Sequence, residues 1–152
     1  VVQIGSCGGL QPNVRTGDIV LSERATIGEG ASQYYGGKGV AAANLGRVTR
    51  AASLFAGREM RAHRGSTITT SALLAQPKEL VRKWAAAGHL AVDLETSAVF
   101  SAATAFGMRA ASLLYVWDEL PGRSWTDTFT PAEQEAQARA SSAVFEIALG
   151  LV

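Results

Sequence analysis

The stretch Val92-Asp93-Leu94-Glu95-Thr96-Ser97-Ala98 and the apolar run that ends at Asp118 carry the side chains best suited to chemistry. Glu95 stands where a short apolar strand gives way to a helix. Asp118 stands where the next strand runs out. An ionised carboxylate accepts two hydrogen bonds side by side, which matches a vicinal diol. A partly buried carboxyl has a raised pKa and can hand over a proton. The pair therefore suits holding a polyhydroxyl ligand at Glu95 and moving a proton at Asp118. Plainer readings stand beside these: Glu95 as a stabiliser of its helix N-terminus, and Asp118 as a loop cap. At the helix start, the dipole is expected to keep Glu95 ionised.

Ser6 lies in Gly5-Ser6-Cys7-Gly8-Gly9, which reads as a turn closing the strand Val1–Ile4. Such a turn presents N–H groups and a hydroxyl to an oxyanion or a sugar oxygen; it can equally be a tight turn and nothing more. Cys7 reads as a small buried residue, because no basic partner that would lower its pKa is evident. Asp93 and Leu94 alternate along their strand, so only part of this cluster is expected to face one pocket. His63 and His89 lack a companion at metal-ligand spacing, so no metal site is read. Tyr34, Tyr35, Trp117 and Trp125 are able to stack on a planar base. Arg15 and Arg123 are able to meet an anion, with surface solvation as the default.

The elements that must position these residues alternate. Strands are expected at Val1–Ile4, from Asp18 to Leu21, from Met60 to Thr70, from Leu90 to Leu94 and from Ala110 to Trp117. Helices are expected from Ala41 to Ala56, from Pro77 to about Ala87, and from Glu95 to Phe106. Thr130-Pro131-Ala132-Glu133 is a capping box with proline in the first turn, and it opens a last helix to Leu149. Gly28 to Gly39, and Leu120 to Thr128 with Pro121 and Gly122, read as loops. The pattern predicts one α/β domain over residues 1–152, with a central mixed, twisted sheet flanked by helices.

Composition narrows the classes. The 152 residues are 47% hydrophobic and 18% charged, enough for one domain with a real core. Net charge is +1 with no Lys/Arg run, which argues against nucleic acid or an anionic membrane as the main partner. No apolar run is long enough to span a bilayer as a helix. One cysteine excludes a disulfide within the chain and fits a reducing compartment, so a cytoplasmic protein is expected. The first residue is not Met, and a strand is already under way there. An absent N-terminal segment is therefore expected.

These residues resemble the nucleoside phosphorylase family, which includes purine nucleoside phosphorylase, uridine phosphorylase and methylthioadenosine nucleosidase. Gly5-Ser6-Cys7-Gly8-Gly9 followed by Gly17-Asp18-Ile19-Val20 is similar to the family's strand, turn and G-D-[IV]-V segment. Val92 to Ala98 is similar to its V-E-M-E-x-A signature, and Trp117-Asp118 to its Ser-Asp pair. The resemblance implies an enzyme that cleaves a nucleoside with phosphate, in a fold lacking here about the first third of the family domain. It implies Asp118 as the acid that protonates a purine at N7, and Glu95 with Leu94 at the ribose. It further implies Ser6 at phosphate, and Cys7, Gly8, Leu73, Val92, Asp93 and Trp117 around the base. No cofactor and no metal are implied; nucleoside, inorganic phosphate and further copies of the chain, as a dimer or a ring of dimers, are.

Three departures qualify it. Gln3 stands where the phosphorylases carry a phosphate-binding Arg, and a neutral amide cannot neutralise a dianion. Trp117 replaces a small Ser, which would reshape the base pocket. Leu94 replaces Met at nearly constant volume. Arg123 is the substitute at hand for the Arg that turns toward the acid in some purine phosphorylases. Hydrolysis by water on the same fold, a degenerate nucleoside-binding protein and a domain with purely structural carboxylates remain as alternatives.

Overall fold

The computed structural model describes residues 1–120 and 122–152; Pro121, read above as part of a loop, lies outside the described residues. Six strands form one sheet: β1 (Val2–Gly9), β2 (Ile19–Gly28), β3 (Val40–Ala42), β4 (Ala62–Thr70), β5 (Ala91–Asp93) and β6 (Ala111–Glu119). The order is β3-β2-β4-β5-β1-β6, and a further pairing of β2 with β6 closes the last five into a ring. Pairing is mixed. β1 runs parallel to β6, and β4 parallel to both β2 and β5. The pairs β1–β5, β2–β6 and β2–β3 are antiparallel. The expected mixed sheet is thus present, and it curls into a barrel.

Among the described residues four α-helices, α1 (Leu45–Ala56), α2 (Lys78–Ala86), α3 (Thr96–Ala105) and α4 (Pro131–Leu149), flank the sheet. Side chains alternate across a strand, so each strand feeds two cores. Outward-facing Ile19, Leu21, Ala111 and Leu113 meet Val48 and Phe55 of α1 and Val144 and Ile147 of α4. Their neighbours Val20, Leu114 and Val116 meet Cys7 and Ala91 in a second cluster. Phe100 of α3 and Val81 of α2 anchor two smaller clusters against the sheet. Burying Phe55 or Phe100 completely stabilises the fold by roughly 1.5–3 kcal/mol each.

The start of α4 falls where the capping box places it: Thr130 Oγ1 accepts from Glu133 N–H at 3.3 Å, and Glu133 Oε2 accepts from Thr130 N–H at 2.7 Å. The first segment departs from expectation. Gly5 to Gly9 is no turn; it continues β1, because β6 supplies a ladder along one edge and β5 along the other at Gly8 and Gly9. Both neighbours are remote in sequence, so the glycines alone suggested a break. The segment from Gly28 to Gly39 holds a short 3-10 helix, Ala31–Tyr35, tied by Glu29 to Ser32 and Ser97. Residues 40–42 are strand rather than the start of α1.

Candidate active site

A cavity of about 540 Å³ opens where β1, β5 and β6 meet. That volume lies within the range of small-molecule sites. Its lining includes each residue to which the resemblance gives a site role, Ser6, Cys7, Gly8, Leu73, Val92, Asp93, Leu94, Glu95, Trp117 and Asp118, but neither Tyr34 nor Tyr35. Trp125, named above as able to stack on a base, also lines it, as do Ile4, Gly5, Gln76, Tyr115 and Leu120. Of these last five, only Gly5 belonged to a motif read from the sequence. The others are brought in by strand pairing, by the segment between β4 and α2 and by the end of β6.

Asp118 reaches the cavity through an irregularity. In β1–β6 pairing Cys7 faces Val116 but Gly8 faces Asp118, so one extra residue, Trp117, is inserted into β6. In a regular strand Trp117 and Asp118 would point to opposite faces. The inserted residue re-aims the strand, and Tyr115, Trp117 and Asp118 all line the cavity. The backbone is held there by Gln137 of α4, whose Nε2 donates to the Trp117 carbonyl at 2.8 Å. The Trp117 ring packs edge-on against Tyr115 and Phe129, with centroids 6.3 and 6.0 Å away.

The Asp118 carboxyl is 4% exposed, and its Oδ2 has no hydrogen-bond partner. Burial raises its pKa from 3.8 to about 6, against the opposing effect of the Trp125 and Asp118 backbone N–H groups. Gly8 makes room for it. A Cβ there would lie 2.6 Å from Leu120 Cδ1 and 3.1 Å from Asp118 Oδ1.

Glu95 and Asp93 divide two tasks. Asp93, not Glu95, satisfies the start of α3: its Oδ2 accepts from Thr96 N–H at 2.7 Å and from Glu95 N–H at 3.3 Å. Its Oδ1 accepts from Thr69 Oγ1 at 2.7 Å. The Glu95 side chain makes no capping bond and remains exposed at the cavity wall. Its pKa is raised by partial burial and then by the Asp93 charge, with the Leu94 N–H opposing. That corrects the expectation that the helix dipole dominates. Val92, Asp93, Leu94 and Glu95 all line the cavity; beyond Asp93, where β5 ends, strict alternation no longer governs Leu94 and Glu95.

Gln3 does not line the cavity. Its Nε2 donates to Asp93 Oδ2 at 3.4 Å, and its Oε1 lies 2.9 Å from Thr96 Oγ1. Ser6 is exposed on the lining, whereas Cys7 is buried, and burial, then the charges of Asp93 and Asp118, push its thiol well above the usual range. A thiol so placed is a poor nucleophile. Arg123 does not turn toward Asp118: it pairs with Glu133, donates to the Thr128 carbonyl at 2.7 Å and sits 4.8 Å over the Phe129 ring. Arg15 pairs with Glu119 at 2.6 Å. Among the described lining residues there are three carboxylates and no Lys, Arg or His. No helix among the described residues is long and apolar enough to cross a membrane.

A helix-flanked mixed sheet, closed by β2–β6 pairing and bearing two acids in one cavity at its strand ends, is the architecture to be placed among known proteins. The profile of the phosphorylase superfamily matches residues 1–150, and the chain belongs to that family. Curated relatives include DeoD-type purine nucleoside phosphorylases. That of Bacillus cereus is 26% identical over 153 residues, covering 98% of this chain and 62% of the relative. That of Alkaliphilus metalliredigens is 27% identical over 122 residues, covering 79% and 52%. Among solved structures, uridine phosphorylase from Vibrio fischeri superposes with a TM-score of 0.87 at 22% identity, over 99% of this chain and 62% of that one. The likeness to that structure is one of fold. The resemblance drawn from the sequence is borne out at the level of family, and the chain spans about half to three fifths of the length of these relatives.

Proposed function

We propose that the cavity cleaves the N-glycosidic bond of a nucleoside, transferring the pentose to phosphate and releasing a free base. Support comes above all from the buried, unpartnered Oδ2 of Asp118, an acid tuned to about 6 in the same cavity as Glu95. As the bond lengthens, positive charge grows on the sugar and negative charge on the base. Asp118 delivers a proton to the departing base, a general-acid contribution of about 10²–10⁴ in rate. An acid at that position favours a purine, which offers N7 as the acceptor. Glu95 accepts hydrogen bonds from the pentose hydroxyls, and its charge faces the developing cation. Leu94 packs beside the sugar, and Ser6 offers its hydroxyl to the phosphate. Cys7, Gly8, Leu73, Val92, Asp93 and Trp117 wall the base. The names of the DeoD-type relatives support phosphate as the acceptor.

One observation favours a second reading, with water in place of phosphate. Gln3 is neutral and bound to Asp93 and Thr96, and the described lining offers a dianion three carboxylates and no cation. Release of base from a purine nucleoside, followed by absorbance with and without phosphate, separates the two. Turnover that requires phosphate supports phosphorolysis; equal turnover without it overturns that reading in favour of hydrolysis. Glu95→Gln is expected to weaken the site by about tenfold or more in kcat/KM through loss of a charge-assisted bond. Unchanged kinetics in that variant would remove Glu95 from the mechanism.

A further inference from the structure

A second cavity of about 560 Å³ lies between α2 and the segment after β6. It shares Leu73, Gln76, Leu120 and Trp125 with the first, so the two are adjoining chambers. The junction is on the side of Asp118. Leu120 follows that acid by two residues, and the Trp125 backbone N–H faces its carboxyl. On the mechanism proposed above, Asp118 protonates the base, so the second chamber continues from the base end of the ligand and away from the pentose.

The two chambers differ in charge. The first is acidic. The second is lined by Lys78 and Arg82, one turn apart on α2. Neither is paired with a carboxylate among the described residues, unlike Arg123 in the same lining, which is paired with Glu133. One acid, Asp127, is present, and its Oδ2 accepts from Ser124 N–H at 2.8 Å. Two uncommitted cations against one locally bonded acid leave a basic chamber beside an acidic one. Such a pair fits a ligand whose charge is asymmetric: a neutral nucleoside with an anion at its far end.

We infer that the site takes nucleosides whose base carries an extended, negatively charged substituent, held by Lys78 and Arg82 in the second chamber. This rests on the proposed glycosidic cleavage for its orientation, and it adds the class of base. The test compares a purine nucleoside with a carboxyalkyl group on its exocyclic amine against the methyl ester of the same compound. Affinity is read by quenching of tryptophan fluorescence and turnover by base release, in the full chain and in the Lys78→Ala/Arg82→Ala variant. The carboxylate is expected to be preferred over the ester by about five- to tenfold at low salt, the yield of two exposed ion pairs. The preference should shrink with salt and fall to near one in the variant. Preferential binding without base release would uphold the chamber and overturn the cleavage. Base release with equal preference for acid and ester, or a preference that survives in the variant, would overturn the chamber and leave the cleavage standing. Absence of both binding and release would overturn both.

Discussion

Two buried aspartates, Asp18 and Asp118, stand in opposite states of satisfaction. Asp18 is 7% exposed and surrounded by donors: Arg61 reaches both carboxylate oxygens at 3.1 and 3.2 Å, His63 Nε2 lies at 2.9 Å, and Arg15 N–H donates at 2.9 Å. Asp118 is 4% exposed, has one oxygen with no partner and has its pKa raised to about 6. Burial alone does not separate the two; satisfaction does. A fully bonded carboxylate ties segments together, here the residue before β2 to the start of β4. An orphaned one is a standing cost that a stability role would have removed, and it is poised to exchange a proton.

The sharpest way to break this contrast is Asp118→Asn. Base release is expected to fall by about 10²–10⁴, because the amide cannot give up a proton at neutral pH. Circular dichroism and thermal melting should show an intact fold. A variant with full activity would end the general-acid assignment. Asp18→Asn should do the reverse. It removes the charge shared by Arg61 and His63 and is expected to cost about 1–3 kcal/mol of stability, read from denaturant midpoints, with activity per folded molecule retained.

Gly8→Ala tests the seat of the orphan acid. The new methyl meets Leu120 and Asp118, an overpacking expected to cost about 1–3 kcal/mol and to lower activity beyond any loss of folded protein. Arg61→Ala is the mildest probe, expected to cost about 1 kcal/mol or less, since the Arg61 side chain is 61% exposed.

The contrast also has a pH signature. The folded pKa of Asp118 lies above its unfolded value of 3.8, so the folded state holds the proton longer. Between about 3.8 and 6 the native chain binds more protons than the unfolded one. This carboxyl therefore favours folding below that window, and its contribution declines as pH rises through it. Catalysis should fall as pH rises past about 6, where the proton is lost before substrate arrives. Denaturant unfolding at stepped pH should show that Asp118→Asn removes this part of the slope. An unchanged slope would show that the carboxyl is not the group responsible.

Legibility in the sequence followed the range of the forces involved. The start of α4 was readable from Thr130, Pro131 and Glu133, because a capping box is complete within four residues. That Ser6, Glu95 and Asp118 line one cavity was readable from the motifs that hold them, whereas Leu73 came only through the family resemblance. The continuation of β1 through Gly5–Gly9 was not, since two distant strands make it. Nor was the division between Asp93 and Glu95: either acid suits a helix start by type, and only packing against Thr69 and Gln3 selects Asp93. His63 read as isolated because its partner, Asp18, is 45 positions away. The basic chamber escaped because Lys78 and Arg82 face a loop that no periodicity places.

The inserted Trp117 has a consequence for how β6 tolerates changes of length. Upstream of it, even-numbered residues of the strand, Leu114 and Val116, share one core, while Ala111 and Leu113 share another. Downstream, that parity no longer applies, and an even-numbered carboxyl sits beside Tyr115 and Trp117. In an uninterrupted strand of the same length position 118 would share the face of Val116, toward hydrocarbon; the inserted residue shifts the pairing of Gly8 to Asp118 and turns the acid off that face. Placement of the Asp118 carboxyl is thus a matter of counting as much as of residue type.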